Sequence, residues 1–159
     1  MKKALLCNLW ILGLTGIVSV VSICFTFLLF SNGDYDSLVY VIAVLGPVLY
    51  GLGGYFLPRK CRPENTKQLL PVLIFWFLVY VAASYLYLWE LVEFFIMDLV
   101  AIVIMLPVTY IGAAWISPFY LSMEKFSSEI AVLLGAVLLV GAFYVGYLLR
   151  CKKEKYSEV

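Results

Sequence analysis

Three carboxylates lie close together just past the middle of the chain, in the stretch WELVEFFIMDLV. Glu90 and Glu93 stand between two apolar segments, and Asp98 lies about one helical turn inside the second of them. Neighbouring carboxylates attract a cation, and their repulsion raises the pKa of at least one of them. An ionisable group inside an apolar segment is a functional hypothesis by default. The sequence therefore predicts a cation or proton site; the competing interpretation is a solvated acidic loop in which Asp98 reaches the headgroups or caps its helix.

The residue types that most catalytic sites need are missing from the chain. It contains no histidine, which excludes imidazole metal sites and Ser-His or Cys-His pairs. The four cysteines form no C-x-x-C pair, and no G-x-x-x-x-G-K phosphate-binding loop occurs. No lysine or arginine lies inside an apolar segment, which excludes a Schiff-base lysine. We therefore expect no catalytic residues, no metal, no cofactor and no enzymatic activity.

Five apolar segments position these groups. Of the 159 residues, 65% are hydrophobic and 13% are charged, so the chain cannot supply the polar surface of a soluble domain. About 20 apolar residues in a helix cross a bilayer. The segments are roughly 4–30, 38–57, 69–89, 94–117 and 130–149, followed by a basic tail at 150–159. They predict an all-α integral membrane protein, a single domain in which about five transmembrane helices form a compact bundle.

Basic residues in short loops mark the cytoplasmic side of a membrane protein. Two such residues, Lys2 and Lys3, follow the first methionine. A loop between the second and third segments, which we call the basic loop, contains Arg59, Lys60, Arg62 and Lys67. The tail contains Arg150, Lys152, Lys153 and Lys155. Five crossings from a cytoplasmic N-terminus place the tail outside, against its charge. A re-entrant fourth segment, broken at Pro107, would leave only Lys125 outside. We favour five spans because re-entrant backbone needs shielding by other protein, and four spans plus a re-entrant segment around Pro107 is the alternative.

Small and hydroxylated residues recur at helical spacing in three segments. They predict helix-packing seams, because small side chains let helix backbones approach closely in lipid. The seam residues are Asn8, Thr15, Ser19, Ser22 and Thr26 in the first segment, Ala43, Gly46 and Gly53 in the second, and Ala131, Gly135, Ala142 and Gly146 in the fifth. A sharper interpretation makes the hydroxyl stripe of the first segment the lining of a polar pathway.

Prolines and aromatic residues mark other positions within the segments. Pro47 and Pro107 are candidate helix kinks. The third segment carries large aromatic residues, among them Trp76 and Tyr80, and several of its aromatic residues fall near the expected membrane interface, where aromatic belts form. The basic loop sets the topology or contacts anionic lipid headgroups.

These observations lead to one functional hypothesis and two alternatives. The leading hypothesis is a non-enzymatic multi-pass membrane protein that acts through helix–helix packing, as a homo-oligomer or as a small subunit or accessory of a larger membrane complex. The first alternative is a small transporter or channel for a cation or small solute that uses Glu90, Glu93 and Asp98. The second is an immunity-type binder of a peptide or lipid.

The expected surroundings follow from the same hypothesis. The partners are the lipid bilayer and either a second copy or another membrane protein, and we expect no nucleic acid. The expected location is the cell membrane, with several passes and a cytoplasmic N-terminus. The lysine-rich start and the short loops are typical of a bacterial plasma membrane protein.

Overall fold

The computed structural model describes residues 2–30, 35–63, 66–88, 108 and 126–157. In these ranges the chain is helical and contains no strand. The α helices are α1 (Lys2–Phe30), α2 (Tyr35–Tyr55), α3 (Leu70–Leu88) and α4 (Phe126–Ser157), and the connection between α2 and α3 contains two short 3₁₀ turns, Arg59–Cys61 and Thr66–Gln68. The predicted all-helical fold is confirmed for this part of the chain. Of the predicted segment 94–117, only Val108 is described, and it is buried.

Three stretches of these helices are long and apolar enough to cross a bilayer, namely Lys2–Cys24, Thr66–Ser84 and Ile130–Glu154. Large apolar side chains cover their outer faces; examples are Leu9, Val20, Ile74, Leu78, Val137 and Val145, which are all more than half exposed. A surface of this kind is unfavourable in water and suits a lipid environment. The fold is therefore compatible with a membrane bundle.

Helix α4 continues beyond the predicted end of the last segment, from Leu149 through the basic residues to Ser157. Arginine, lysine and glutamate are strong helix formers. Arg150 also forms an ion pair with Glu154 one turn later, with Nε and Oε1 3.1 Å apart, which stabilises this part of the helix. Most of the basic tail is thus an extension of α4 that projects from the apolar part of the bundle.

Side-chain contacts give the direction of each helix. Helix α1 runs antiparallel to α2, since its Trp10 contacts Gly53 and its later Thr15 contacts the earlier Tyr50. Helices α1 and α3 run parallel, because Asn8 contacts Trp76 and Thr15 contacts Tyr80. Consecutive helices in the first half of the chain therefore alternate in direction.

One end of the bundle collects three basic stretches of the chain, and we call it the basic end. It consists of the start of α1, the connection 58–69 and the end of α4. Lys2 and Lys3 border a cavity of about 420 Å³ together with Gln68 of the connection. At the end of α4, Glu154 forms an ion pair with Arg62. Helices α2 and α4 thus run towards the basic end, whereas α1 and α3 run away from it.

Candidate functional site

Three hydroxyl groups meet in the core where α1, α2 and α3 come together. The Tyr50 hydroxyl lies 2.7 Å from the Thr15 hydroxyl and 2.7 Å from the Tyr80 hydroxyl, and Thr15 and Tyr80 are 2.9 Å apart. All three side chains are at most 1% exposed. We call these three residues the hydroxyl cluster. Each helix supplies one member, so the cluster links all three.

The hydroxyl cluster has three hydroxyl protons for four short oxygen–oxygen contacts, one of which is to a backbone carbonyl. The Thr15 hydroxyl donates to the carbonyl oxygen of Ile11, one turn earlier, at 2.8 Å. Tyr50 and Tyr80 have one proton each for the three remaining contacts, so one of these contacts lacks a proton at any moment. All three oxygens still take part in a hydrogen bond, as buried polar atoms require. The cluster is therefore satisfied internally and needs no ligand.

Little space surrounds the hydroxyl cluster. The residues packed around it include Ile11, Trp76 and Phe143, and the space between them cannot hold a water molecule. The rings of Trp76 and Tyr80 are in contact, with centroids 5.6 Å apart. At this level the described part of the bundle is a packed core, and the polar pathway along α1 remains a prediction.

Two further hydroxyls of the α1 stripe donate to backbone carbonyls of their own helix. Ser19 donates to the Thr15 carbonyl and Ser22 donates to the Val18 carbonyl, each at 2.8 Å, and both serines are buried. Serine hydroxyls inside a helix often bond to the preceding turn in this way. At the other end of the stripe, the Trp76 indole N–H donates to the side-chain oxygen of Asn8 at 2.9 Å. The stripe thus faces the interior of the bundle.

The other predicted seam residues lie in different surroundings. Gly46, Gly53, Ala131, Gly135 and Gly146 are buried, Ala142 is half-buried, and the side chains of Thr26 and Ala43 lie outside the described part of the chain. Gly53 faces α1, where its carbonyl accepts a hydrogen bond from the Trp10 indole at 3.0 Å. A Cβ at Gly53 would overlap the Leu14 side chain. This glycine therefore belongs to the contact with α1.

Helices α2 and α4 approach each other closely at their backbones. A Cβ at Gly146 would overlap the backbone of Gly51, and a Cβ at Gly54 would overlap the carbonyl of Phe143. No other residue type fits at Gly54 and Gly146 without moving a backbone. The helical spacing of small residues predicted Gly146 as a packing residue but missed Gly51 and Gly54. Their signal was the density of glycine in the stretch YGLGGY, which supplies one glycine for α1 and two for α4.

A charged cluster ties the basic end together. Nη1 of Arg62 donates to both carboxylate oxygens of Glu154 at 2.7 and 2.8 Å, and its Nε donates to the Leu57 carbonyl at 3.0 Å. Nε of Arg150 donates to the same carboxylate at 3.1 Å. Two guanidinium groups thus share one carboxylate and join the connection to α4. Of these contacts, only the ion pair of Arg150 with Glu154 has a signal in the sequence, because the two residues are one helical turn apart.

The cationic side chains at the basic end differ in exposure. Arg59, Lys60, Lys67, Lys152 and Lys153 are exposed, whereas Arg62 and Arg150 are partly buried. The predicted topology residues therefore divide into a charged surface and one structural arginine, Arg62. Pro47 lies inside α2, as its candidate kink requires, and Pro107 lies outside the described residues.

Other predictions concern residues whose structure is not described. Glu90, Glu93 and Asp98 lie outside the described ranges, so the cation site remains a prediction. Among the described residues no group of histidine, cysteine, aspartate and glutamate is arranged to bind a metal. Trp76 and Tyr80, two aromatic residues of the third segment, lie in the core and not in an interfacial belt. Their indole and hydroxyl groups find partners there, which makes burial favourable.

Comparison with known proteins yields no relative. No protein-family model matches the chain, and no curated protein or solved structure matches it either.

Proposed function

We propose that this chain is a non-enzymatic multi-pass membrane protein that acts by binding a second copy or another membrane protein within the bilayer. The contrast between the inside and the outside of the bundle carries the proposal. Inside, the hydroxyl cluster is bonded internally and encloses no water-sized space. Outside, side chains such as Val20, Ile74 and Val137 are more than half exposed. Such a surface offers packing to a partner.

The proposal includes a topology with four crossings, by α1, α2, α3 and α4. Its support is the basic end, which collects the N-terminus, the connection and the end of α4. If this end is cytoplasmic, ten of the eleven lysines and arginines are inside and only Lys125 is outside, in agreement with the positive-inside rule. The segment 94–117 then starts and ends on the same side, as in the alternative with a re-entrant segment around Pro107.

Reporter fusions in living cells test this topology. A reporter active only in the cytoplasm should be active after Val159, and a reporter active only outside should be silent there. The same two reporters inserted after Asn32, between α1 and α2, should give the opposite result. External activity at Val159 would instead establish an odd number of crossings and overturn the four-span topology.

Photo-crosslinking in cells tests the binding function. A photoreactive residue placed at Val20, Ile74 or Val137 should form a protein adduct from at least one of the three outer faces. Leu139 is the matched control for Val137, because it lies on the same helix and is fully buried; it should form no adduct with another chain. An adduct of twice the chain mass would identify a second copy. Adducts with lipid alone at all three outer positions would contradict the proposal.

A further inference from the structure

An apolar groove follows the outer side of the contact between α2 and α4. Its volume is about 450 Å³. Gly51 and Gly146 line it where the two backbones approach most closely, and the side chains of Val48, Leu52, Val145 and Leu149 form its walls. These four side chains are between 46% and 57% exposed. Close backbone contact between glycines thus leaves a trough between two rows of aliphatic side chains.

The groove ends at a cationic group. Tyr55 lines the groove, and the Arg150 guanidinium lies over its ring, 5.7 Å from the ring centroid. Nη1 of Arg150 donates to the Tyr55 carbonyl at 3.1 Å. The Tyr55 ring and carbonyl therefore hold the guanidinium at the end of the groove.

The charge beside this end is not balanced within the described residues. Glu154 accepts from both Arg62 and Arg150, so one negative charge serves two positive ones. Nη2 of Arg150 has no acceptor among the described residues. Four exposed cationic side chains at the same end increase the excess of positive charge: Arg59, Lys60, Lys152 and Lys153. An anion is the complementary ligand for this end of the groove.

We propose that the groove binds one acyl chain of an anionic phospholipid whose phosphate lies at Arg150. The groove supplies an aliphatic trough with Arg150 beside the lining residue Tyr55, and an anionic phospholipid has acyl chains that are joined through glycerol to a phosphate. Basic pockets between membrane helices select anionic headgroups in the same way. As an occupant of this groove, a second copy in the same orientation would place its own positive end beside Arg150, which is less favourable there than an anion. The proposal requires a membrane environment but no partner protein, so it is independent of the function proposed above.

Native mass spectrometry of the purified full-length chain tests the site. Phosphatidylglycerol and phosphatidylcholine with identical acyl chains are the probes, and the wild type should retain more phosphatidylglycerol. Arg150→Gln should weaken phosphatidylglycerol binding about fivefold, the effect of one basic residue near a lipid surface. It should weaken phosphatidylcholine binding less, because the choline cation of that lipid offsets the charge of its phosphate. Lys152→Gln removes the same charge from an exposed position and should have a smaller effect.

A second pair of variants tests the groove itself. Val145→Trp should fill the groove and weaken the binding of both lipids. Val137→Trp is its matched control, because Val137 lies on the same helix with 54% exposure against 53% for Val145 and does not line the groove. Circular dichroism should show unchanged helix content in all variants. If Arg150→Gln loses helix content, the two tryptophan variants alone decide whether the groove binds lipid.

Four results would overturn the proposal. The first is equal retention of the two lipids by the wild type. The second is a Val145→Trp variant that binds lipid as the wild type does, and the third is a Val137→Trp variant that loses as much binding as Val145→Trp. The fourth is a lipid-free dimer of the wild type that Val145→Trp dissociates, which would assign the groove to a second copy.

Discussion

The contact between α2 and α4 depends on missing side chains, whereas the contact of α1 with α2 and α3 depends on large polar ones. Gly54 and Gly146 allow carbonyl groups of the facing helix to approach where a Cβ would stand. At the contact with α1, Tyr50 of α2 and Tyr80 of α3 each reach the Thr15 hydroxyl. Helix α2 therefore takes part in two different means of association.

The difference shows two ways in which apolar helices associate with each other. Backbone contact gains dispersion energy over a large area, but it tolerates no added atom. Hydrogen bonds between side chains span a wider gap, and each contributes a modest, separable amount. A substitution in the first contact should therefore have an abrupt effect, and a substitution in the second a graded one.

The largest effect should come from adding one methyl group between α2 and α4. Gly146→Ala places a Cβ against the Gly51 backbone, which cannot rotate away. We expect the free energy of unfolding to fall by about 3 kcal/mol, the upper range for overpacking, as measured by denaturant unfolding in detergent micelles. Gly141→Ala is the matched control, because no atom lies within 4 Å of a Cβ at Gly141. A Gly146→Ala variant as stable as Gly141→Ala would disprove the close backbone contact.

A smaller effect should follow the removal of one oxygen from the hydroxyl cluster. Tyr80→Phe leaves Thr15 and Tyr50 bonded to each other and removes two contacts. We expect a loss of about 1 kcal/mol in the same unfolding assay, in line with hydrogen bonds between membrane helices. Tyr144→Phe should have no effect, because Tyr144 is only half-buried and forms no hydrogen bond with a described residue.

A double-mutant cycle sharpens this prediction. Tyr50→Phe and Tyr80→Phe together should cost less than the sum of the two single changes, because each single variant already breaks their shared bond. Strict additivity would show that the two hydroxyls do not interact.

The smallest effect, of opposite sign, should come from Ser84→Ala on α3. The Ser84 side chain is fully buried, and its hydroxyl has no hydrogen-bond partner among the described residues. An unpaired buried hydroxyl contributes no stability. We expect the free energy of unfolding to stay the same or to rise by up to about 1 kcal/mol. Ser22→Ala is the comparison variant, since the Ser22 hydroxyl is bonded. A clear loss of stability in Ser84→Ala alone would mean that this hydroxyl has a partner.

Much of the described fold was predictable because long apolar segments between short polar loops follow simple rules. The apolar segments predicted the described helices to within a few residues, apart from the extension of α4 into its basic tail. The seam residues were selected by spacing, and Thr15, Ser19 and Ser22 lie on the buried face of α1. Helical periodicity alone places these three on one side, so no knowledge of their neighbours was needed.

The sequence did not predict which helix packs against which of these faces. Spacing grouped Gly46 and Gly53 in one seam, yet Gly53 faces α1 while Gly51 and Gly54 face α4. Tyr80 belonged to a segment expected to place several aromatic residues at the membrane interface, because composition does not tell a buried tyrosine from an interfacial one. Its position became clear only from the hydroxyls of two other helices.

The sequence by itself determined the helical class of structure, the positions of the described helices and the absence of histidine chemistry, because each of these depends on residue types along one chain. Only the tertiary structure decided that the start of α1, the connection and the end of α4 share the basic end. It also decided that Glu154 joins Arg62 to Arg150 across residues far apart in the chain. The physical reason is that backbone approach and ion pairing depend on distances between helices, and periodicity within one helix contains no information about those distances.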